Sequence, residues 1–486
     1  MDIIERIDRA GRDYPNKIAH VANNRTLTYA ELARKSDAIA RHFTEKFAGD
    51  YSPVVIVGHK EPEMLIGFLG AVKSGRPYIP IDVSIPEERA TRIAQNSGSV
   101  AVLAAAQIAA LANAQSTAKA RRVDLDDPFY IIFTSGSTGE PKGVVITLRC
   151  LTTFLDWMLK EQKFAPAGET FLNQAPFSFD LSVMDLYLSL GTTGTLFSLE
   201  KGQIANLKDL YVALRKSAVT TWVSTPTFAQ MCLVERGFDQ TMLPQLRRFL
   251  FCGETLAPET ASRLLDRFPE TEVWNSYGPT EATVACASVQ ITRETIAHYP
   301  SLPIGAPMPG AKVFIADENL QPVSSERRGE IIIAGNNVSP GYLGRPDLTD
   351  AAFFPMGNLR AYRTGDWGLM KNGLLFFDGR IDGQVKVNGY RVELGDVEEN
   401  LRALPAVSDA VVLPVMEKGI ARSLAAFVIL SIRSSESEFA MGNDLRAQLA
   451  KRLPAYMLPG RIFFHDAFPM TANGKTDRRK LAESVE

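Results

Sequence analysis

Residues 130–143 read YIIFTSGSTGEPKG, an apolar run that passes into a loop of glycines and hydroxyl residues with one lysine. Glycines allow several backbone N–H groups to converge on an anion, hydroxyls donate further hydrogen bonds, and Lys142 adds a positive charge. The segment predicts a buried strand followed by a phosphate-binding loop. It differs from the GxxxxGK[ST] loop, because Lys142 stands between Pro141 and Gly143. The alternative interpretation is a flexible turn.

Strand-like and helix-like segments alternate over much of the chain. Apolar runs at 54–57 and 78–81 flank residues 63–69, where apolar side chains recur at helical spacing. The pattern recurs with a predicted helix at 205–216 and a predicted strand at 219–223. Such βα units are typical of sheets built around parallel strands.

Further along, the chain changes to short strands separated by turn residues, which predicts a β-rich subdomain. A domain boundary is predicted near Asp382, because glycines on both sides of it provide the freedom that a hinge requires. Short strands and predicted helices at 397–404 and 445–453 follow, as in a small α+β domain. We therefore expect a large domain, 1–380, and a small one, 381–486.

The composition excludes several classes of protein. The chain has 486 residues, with 53 Lys and Arg against 55 Asp and Glu, and a net charge of −2, so no strongly basic nucleic-acid or membrane surface is expected. Its four cysteines form no CxxC pair and its five histidines are scattered, which indicates neither a disulfide framework nor a zinc cluster. Residues 1–6 do not resemble a secretory signal, and no apolar stretch is long enough for a membrane helix. We expect a cytoplasmic protein without membrane insertion.

A second segment with chemical potential is 275–281, which reads NSYGPTE. The ring of Tyr277 can stack on a purine, the hydroxyl of Thr280 can reach a phosphate, and the carboxylate of Glu281 can hold Mg²⁺ beside phosphate oxygens. The alternative is a purely structural turn.

Two further segments each offer one ionisable side chain. Residues 362–368 contain Asp366, which could accept hydrogen bonds from a ribose diol; taken alone, an exposed turn aspartate is the alternative. Residues 470–479 place Lys475 on a glycine loop, from which it could reach a site on the large domain. A solvated basic tail is the alternative there.

Together with the Asp382 segment, these motifs resemble, in order and spacing, the adenylate-forming (acyl-activating, AMP-binding) superfamily. Residues 171–186, 249–254, 280–285 and 453–459 are most similar to members that activate D-alanine for a carrier protein, at the start of teichoic and lipoteichoic acid D-alanylation. The resemblance implies a mixed α/β fold. It has a large N-terminal domain with mixed sheets and a β-rich subdomain, followed by a small mobile α+β lid.

The resemblance also implies a role for each matched residue. Nucleotide binding is expected of Thr134, Ser135, Lys142, Asn275, Ser276, Tyr277, Gly278, Pro279, Thr280, Asp366, Phe377, Asp378, Gly379, Arg380 and Lys475. Substrate binding is expected of Asp180, Cys252, Val284 and Lys475. Catalytic roles are expected of Lys475, Glu281 and Thr134, with Glu281 as the Mg²⁺ ligand and Asp382 as the hinge.

The implied reaction uses ATP and Mg²⁺ and has two halves. The substrate carboxylate attacks the α-phosphate, and Lys475 neutralises the developing charge. The resulting acyl-adenylate then passes its acyl group to the phosphopantetheine thiol of a holo D-alanyl carrier protein. Because the chain ends shortly after Lys475, the carrier is expected to act in trans.

The amino-acid substrate rests partly on Asp180, which lies between Phe179 and Leu181. A carboxylate in such apolar surroundings is costly unless it meets a cation, which favours an α-amino acid over a fatty acid. The alternative is an aspartate that only caps a helix. The small side chain and the D configuration are implied by the resemblance alone, and Cys252 is interpreted as a small buried residue rather than a reactive thiol.

Three other functions remain open at this point. One is adenylation of another small amino acid, and a second is an acyl-CoA or aryl-CoA ligase, which Asp180 disfavours. The third is a non-catalytic nucleotide-binding regulator. The presence of Lys142, Glu281, Asp366 and Lys475 argues against the regulator, because an inactive site is expected to have lost one of them.

Overall fold

The computed structural model describes residues 1–113, 116–136, 139–165, 168–381, 383–387, 389–417, 420–431, 437–470 and 476–484. The chain divides into two compact units. The first comprises Met1–Asp82, Ser97–Ile132 and Gly143–Ile381. The second comprises Val83–Asn96, Phe133–Lys142 and Asp382–Glu486.

The helices are distributed along both units. In chain order they are α1 (Ile3–Asp13), α2 (Tyr29–Lys46), α3 (Pro62–Lys73), α4 (Glu87–Asn96), α5 (Ala105–Leu111), α6 (Leu148–Gln162), α7 (Leu181–Gly191), α8 (Lys201–Ala205), α9 (Leu207–Lys216), α10 (Pro226–Cys232), α11 (Pro258–Arg267), α12 (Arg293–His298), α13 (Pro346–Ala352), α14 (Leu394–Arg402), α15 (Glu438–Leu449) and α16 (Arg478–Ala482). Short 3₁₀ turns cover Thr280–Ala282 and Ala455–Met457.

The strands are mostly short. They are β1 (Ile18–Ala22), β2 (Arg25–Thr28), β3 (Val54–Gly58), β4 (Tyr78–Asp82), β5 (Ala101–Ala104), β6 (Pro128–Thr134), β7 (Lys142–Thr147), β8 (Thr170–Asn173), β9 (Thr195–Ser198), β10 (Thr221–Ser224), β11 (Arg248–Phe251), β12 (Glu272–Tyr277), β13 (Ala287–Ile291), β14 (Ala306–Pro307), β15 (Lys312–Ala316), β16 (Gly329–Ala334), β17 (Gly341–Tyr342), β18 (Phe353–Met356), β19 (Leu359–Lys371), β20 (Leu374–Arg380), β21 (Gln384–Val387), β22 (Tyr390–Glu393), β23 (Val407–Glu417), β24 (Ile420–Leu430) and β25 (Arg461–Phe464).

The first unit is built on three sheets. The largest has the order β14-β13-β12-β11-β10-β8-β9-β1-β2, with parallel pairs at its centre and antiparallel pairs towards both edges. A second sheet has the order β17-β7-β6-β4-β3-β5, in which β3 is parallel to both β4 and β5. The third is antiparallel and contains β15, β16, β18, β19 and β20.

The apolar side chains of individual segments explain why those segments are buried in the first unit. All residues of α3 are buried, as expected of a helix that is apolar almost all round. A separate aromatic core surrounds Trp222, whose ring stacks on Phe228 at 5.5 Å between centroids and contacts Phe249 at 5.6 Å.

The second unit contains a two-stranded sheet, β21-β22, and a three-stranded sheet, β23-β24-β25. Its core includes Val397 and Leu401 of α14, Leu445 and Leu449 of α15, and Val412 of β23. The predicted helices at 397–404 and 445–453 correspond to α14 and α15, which both begin earlier in the chain than expected.

The predicted mixed α/β fold is confirmed, including a β-rich region in the later part of the first unit. The helix predicted at 205–216 instead begins at Leu207, because the side chain of Asn206 accepts a hydrogen bond from the backbone of Lys208 and caps α9. Within the described ranges, no helix combines the length and apolar character needed to cross a bilayer.

Lys60 is a buried cation that connects the second sheet to the largest sheet. It follows β3, and its ammonium donates to the carbonyl oxygens of Asn173 at 3.1 Å, Gln174 at 2.7 Å and Leu199 at 2.9 Å. Burial lowers the pKa of Lys60 to about 8, a shift that the carboxylate of Asp185 opposes. The three carbonyls lie at the end of β8 or just beyond the ends of β8 and β9, so this one side chain holds the ends of both strands.

Replacing Lys60 should therefore destabilise the first unit. We expect Lys60→Met to lower the free energy of unfolding by about 3 kcal/mol, because a buried carbonyl left without a donor costs about 1–3 kcal/mol. Urea unfolding followed by tryptophan fluorescence measures this, since all four tryptophans (157, 222, 274 and 367) lie in the first unit. Lys201→Met, at an exposed position of α8, is the matched control and should be neutral.

The same pair of proteins gives a pH test. Because folding lowers the pKa of Lys60 to about 8, the unfolded chain binds more protons than the folded chain above that pH. The wild type should therefore gain stability relative to Lys60→Met as the pH rises through 8. A stability difference that stays constant from pH 7 to 10 would contradict this account of the buried ammonium.

Candidate active site

The turn that joins β12 to β13 is the structural centre of the candidate site. It begins at Tyr277, the last residue of β12, whose carbonyl accepts a 2.7 Å hydrogen bond from the backbone of Cys286. A Cβ atom at Gly278 would lie 2.6 Å from Cα of Ala285 and 2.8 Å from the carbonyl oxygen of Val284, so the close approach requires glycine. The sequence motif 275–281 thus forms a tightly packed turn rather than an open loop.

Asp366 of β19 is tied to this turn. The hydroxyl of Tyr277 donates to Oδ2 of Asp366 at 2.5 Å, and the guanidinium of Arg380 pairs with Oδ1. Arg380 also donates to the carbonyl oxygen of Thr364 at 3.1 Å. Burial, reinforced by the Asp366 carboxylate, raises the pKa of Tyr277 well above its ordinary value, so the phenol remains a donor. The alternative of an exposed turn aspartate is wrong, because Asp366 is buried within a strand.

Asp180 contacts the other end of the same turn. The hydroxyl of Thr280 donates to Oδ2 of Asp180 at 2.7 Å. Asp180 precedes α7, yet its side chain makes no capping hydrogen bond to the described residues of that helix. The helix-capping alternative is therefore wrong, and the half-buried carboxylate is directed to the turn by Thr280.

A buried polar network supports α7, which begins one residue after Asp180. The side-chain amide of Asn173 donates to Oδ1 of Asp185 at 3.0 Å, and its oxygen accepts from the hydroxyl of Ser198 at 2.8 Å. Burial raises the pKa of Asp185 well above its ordinary value, with Asn173 and Lys60 opposing the shift. Local sequence patterns do not predict this network, although Lys60, three residues after the apolar run 54–57, was a signal for a buried cation.

The two residues expected to shape the substrate side-chain space are adjacent. Sγ of Cys252, which follows β11, donates to the carbonyl oxygen of Val284 at 3.5 Å. Both residues are buried, with Cys252 3% and Val284 2% exposed. The interpretation of Cys252 as a small buried residue agrees with this geometry.

Glu281 lies within the turn and is fully buried. Its Oε1 accepts a 2.8 Å hydrogen bond from the hydroxyl of Tyr342, and its carbonyl accepts from the backbone of Ser339 at 2.9 Å. Among the described residues, no group of three or more His, Cys, Asp or Glu side chains forms a potential metal cage. A single carboxylate nevertheless fits Mg²⁺. In nucleotide sites this ion is bound by one or two carboxylates, and phosphate oxygens and water complete its coordination shell.

The remaining predicted nucleotide residues of the first unit have varied environments. The side chain of Asn275 donates to the carbonyl oxygen of Pro303 at 2.8 Å, and the hydroxyls of Ser276 and Ser288 are 3.0 Å apart. These two side chains therefore stabilise the framework of the turn.

The predicted nucleotide residues on β20 differ in exposure. Phe377 is half-buried, Asp378 pairs with Arg328 at 2.9 Å on the surface, and Gly379 has a φ of +99° that favours glycine. Pro279 is half-buried between Gly278 and Thr280.

The predicted phosphate loop belongs to the second unit. There the hydroxyl of Ser135 donates to the carbonyl oxygen of Arg391 and accepts from the backbone of Glu393, both at 3.1 Å. The hydroxyl of Thr134 donates to the carbonyl oxygen of Lys142 at 3.5 Å. The second unit also contains an ion pair between Arg89 and Asp396 at 3.1 Å. The predicted hinge, Asp382, and the predicted catalytic Lys475 lie outside the described residues.

The chain is similar to known proteins in both sequence and structure. A family described as AMP-binding enzyme matches residues 7–343, and one described as AMP-binding enzyme C-terminal domain matches residues 396–475. A protein of Bacillus cytotoxicus named D-alanine–D-alanyl carrier protein ligase is 44% identical over 503 aligned residues that cover 100% of both chains.

Two solved structures illustrate the structural similarity. Holo-PA1221, an NRPS protein containing adenylation and PCP domains, has a TM-score of 0.84 and 25% identity, covering 99% of this chain and 84% of that one. The o-succinylbenzoate CoA synthetase of Bacillus subtilis has a TM-score of 0.86 and 19% identity, covering 98% of each chain.

Proposed function

We propose, from the premise that this chain belongs to the AMP-binding enzyme family, that it activates D-alanine with ATP and charges a carrier protein. In the first half-reaction a carboxylate oxygen of D-alanine attacks the α-phosphorus of ATP, and pyrophosphate leaves. In the second, the phosphopantetheine thiol of a D-alanyl carrier protein attacks the acyl carbon, loses its proton and displaces AMP. The thioester is the first product on the route to D-alanylated teichoic and lipoteichoic acids, and the reaction takes place in the cytoplasm.

The observation that carries this proposal is the pair of carboxylates joined to one turn. Asp366 meets Tyr277, and Asp180 meets Thr280, three residues further along. In the proposed complex Asp366 accepts hydrogen bonds from the ribose hydroxyls and the ring of Tyr277 packs on the adenine. Asp180 pairs with the ammonium group of the amino acid, a contact that an acyl-CoA ligase does not need.

Further residues are proposed to complete the binding of the nucleotide. Backbone groups of residues 275–280 line it, and Phe377 to Arg380 close it on the side of β20, where Arg380 already holds Asp366. Glu281 would hold Mg²⁺, which supplies positive charge to the phosphate oxygens when bound. Thr134, Ser135 and Lys142 would bind the phosphates through hydroxyl donors and one ammonium group.

Cys252 and Val284 are proposed to limit the substrate side chain. Their contact at 3.5 Å brings two buried residues together near the turn that also holds Asp180 through Thr280. Such a space suits a methyl group better than a larger side chain. The 44% identical relative, whose name specifies D-alanine, supports the same substrate for this chain.

The two half-reactions are proposed to use different positions of the small domain, 381–486, on the large domain, 1–380. Lys475 bridges the substrate carboxylate and the phosphate during adenylation, because the attack brings two anions together. Rotation about Asp382 then withdraws Lys475 and admits the thiol. The carrier protein is bound in trans, and the structural similarity to an NRPS protein that contains a PCP domain supports a carrier as acceptor.

Pyrophosphate exchange tests the proposed substrate. The protein is assayed with ATP, Mg²⁺ and, in parallel, D-alanine, L-alanine, glycine, D-serine and propionate. Exchange should be strongest with D-alanine and lowest with propionate, which has no ammonium group for Asp180. Strongest exchange with another amino acid would favour an adenylation enzyme of different specificity. Absence of exchange with every compound would favour a non-catalytic regulator.

The role of Lys475 is tested by separating the half-reactions. We expect Lys475→Ala to lower the adenylation rate by about 10²-fold or more, the usual effect of removing one group that stabilises transition-state charge. Transfer from preformed D-alanyl-AMP to holo carrier protein should be retained, as measured by thioester formation. Lys480→Ala, at an exposed position of α16, is the control and should change neither step. Equal loss of both steps in Lys475→Ala would refute the division of roles.

A further inference from the structure

Two consecutive residues of the turn adopt a backbone conformation that side chains of their type normally avoid. Thr283 has a φ of +59° and Val284 a φ of +67°. Both are β-branched, and left-handed backbone is a genuine outlier for such residues. Strain of this kind persists only where the surrounding structure enforces it, and it is concentrated at functional sites.

Asn337 enforces the conformation from the loop that follows β16. The hydroxyl of Thr283 donates to the carbonyl oxygen of Asn337 at 2.7 Å, and the side-chain amide of Asn337 donates to the carbonyl oxygen of Ala282 at 3.0 Å. Asn337 is fully buried, so neither hydrogen bond is exchanged with water at low cost. Asn337 thus binds both the carbonyl oxygen that precedes Thr283 and the side chain of Thr283 itself.

The neighbours of Asn337 bind the preceding part of the turn. The backbone of Ser339 donates to the carbonyl oxygen of Glu281 at 2.9 Å, and the hydroxyl of Tyr342 donates to its carboxylate at 2.8 Å. A Cβ atom at Gly335 would lie 2.5 Å from Oδ1 of Asn337, so the asparagine side chain is closely confined. Residues 335–342 therefore form a fixed support behind the turn.

The conformation of Val284 has a direct consequence for the substrate space. Its carbonyl oxygen is the atom that Sγ of Cys252 contacts at 3.5 Å. A change in the backbone at Thr283 and Val284 would move this carbonyl and the isopropyl side chain together. The hydrogen bonds of Asn337 therefore bear on the position of both groups of Val284, although Asn337 itself is not one of the residues expected to line the side-chain space.

From these contacts we infer that Asn337 is a specificity-determining positioning residue for the amino-acid substrate, a role that rests on the function proposed above. It holds Thr283 and Val284 in the conformation that keeps the side-chain space small. Loss of its hydrogen bonds allows the turn to relax towards ordinary backbone angles and enlarges the space. The nucleotide contacts of Tyr277 and Asp366 do not involve Asn337 and should be little affected.

The test compares D-alanine with D-2-aminobutyrate, which is one methylene larger, in pyrophosphate exchange. An extra methylene is discriminated by about 10–200-fold in tight pockets. We expect Asn337→Ala to lower the ratio of kcat/KM for D-alanine over D-2-aminobutyrate by about tenfold. The KM for D-alanine should rise while the KM for ATP stays within about twofold. Asn336→Ala, at the exposed neighbouring position, is the matched control and should retain the wild-type ratio.

A second variant keeps the inference falsifiable if Asn337→Ala does not fold. Thr283→Val replaces the hydroxyl that donates to Asn337 with a methyl group, and should lower the ratio in the same direction. An unchanged ratio in the folded variants, even with reduced thermal stability, would overturn the inference and leave Asn337 with a structural role. If the wild type prefers another amino acid, the proposed substrate fails. The ratio between that amino acid and its next homologue then tests Asn337 independently.

Discussion

The turn between β12 and β13 donates a hydrogen bond to each of two carboxylates, and the candidate site depends on these contacts. Tyr277 meets Asp366 and Thr280 meets Asp180, so only a few backbone bonds separate the two donors. A carboxylate removed from water is costly unless donors or cations satisfy it. The turn therefore fixes the distance between a group suited to ribose hydroxyls and a group suited to an ammonium ion, as required to join an amino acid to a nucleotide.

The turn is itself maintained against steric strain. Gly278 is packed against the backbone of Ala285, and Thr283 and Val284 have left-handed backbone angles. Buried partners from distant parts of the chain offset this cost, among them Asn337. Rigid support of this kind positions functional groups within the narrow tolerance that catalysis requires. We therefore attribute substrate specificity to the residues that hold the turn as well as to the residues that contact the substrate.

Local patterns predicted much of this structure. The apolar runs at 54–57 and 78–81 form parallel neighbouring strands, and the motifs at 275–281 and 362–368 are joined by the hydrogen bond from Tyr277 to Asp366. The adenylate-forming resemblance is confirmed by the family match and by the full-length relative. The supporting residues were missed because their partners are remote: Lys60 binds a carbonyl 113 residues away, and Thr283 binds Asn337 54 residues away. No local periodicity encodes such pairs. The roles of Lys475 and Asp382, which lie outside the described residues, stay predictions.

The most direct test of the account is pyrophosphate exchange by Asp180→Asn with D-alanine and with propionate. The amide oxygen of asparagine can still accept from Thr280, so the substitution removes the charge and leaves the turn in place. The account predicts that kcat/KM for D-alanine falls by roughly 30-fold or more, because one partner of a desolvated charge pair is lost, while the KM for ATP and the slow exchange with propionate do not fall. An equal decrease with both acids, or no decrease with D-alanine, would contradict the assignment of Asp180 as the ammonium-binding group.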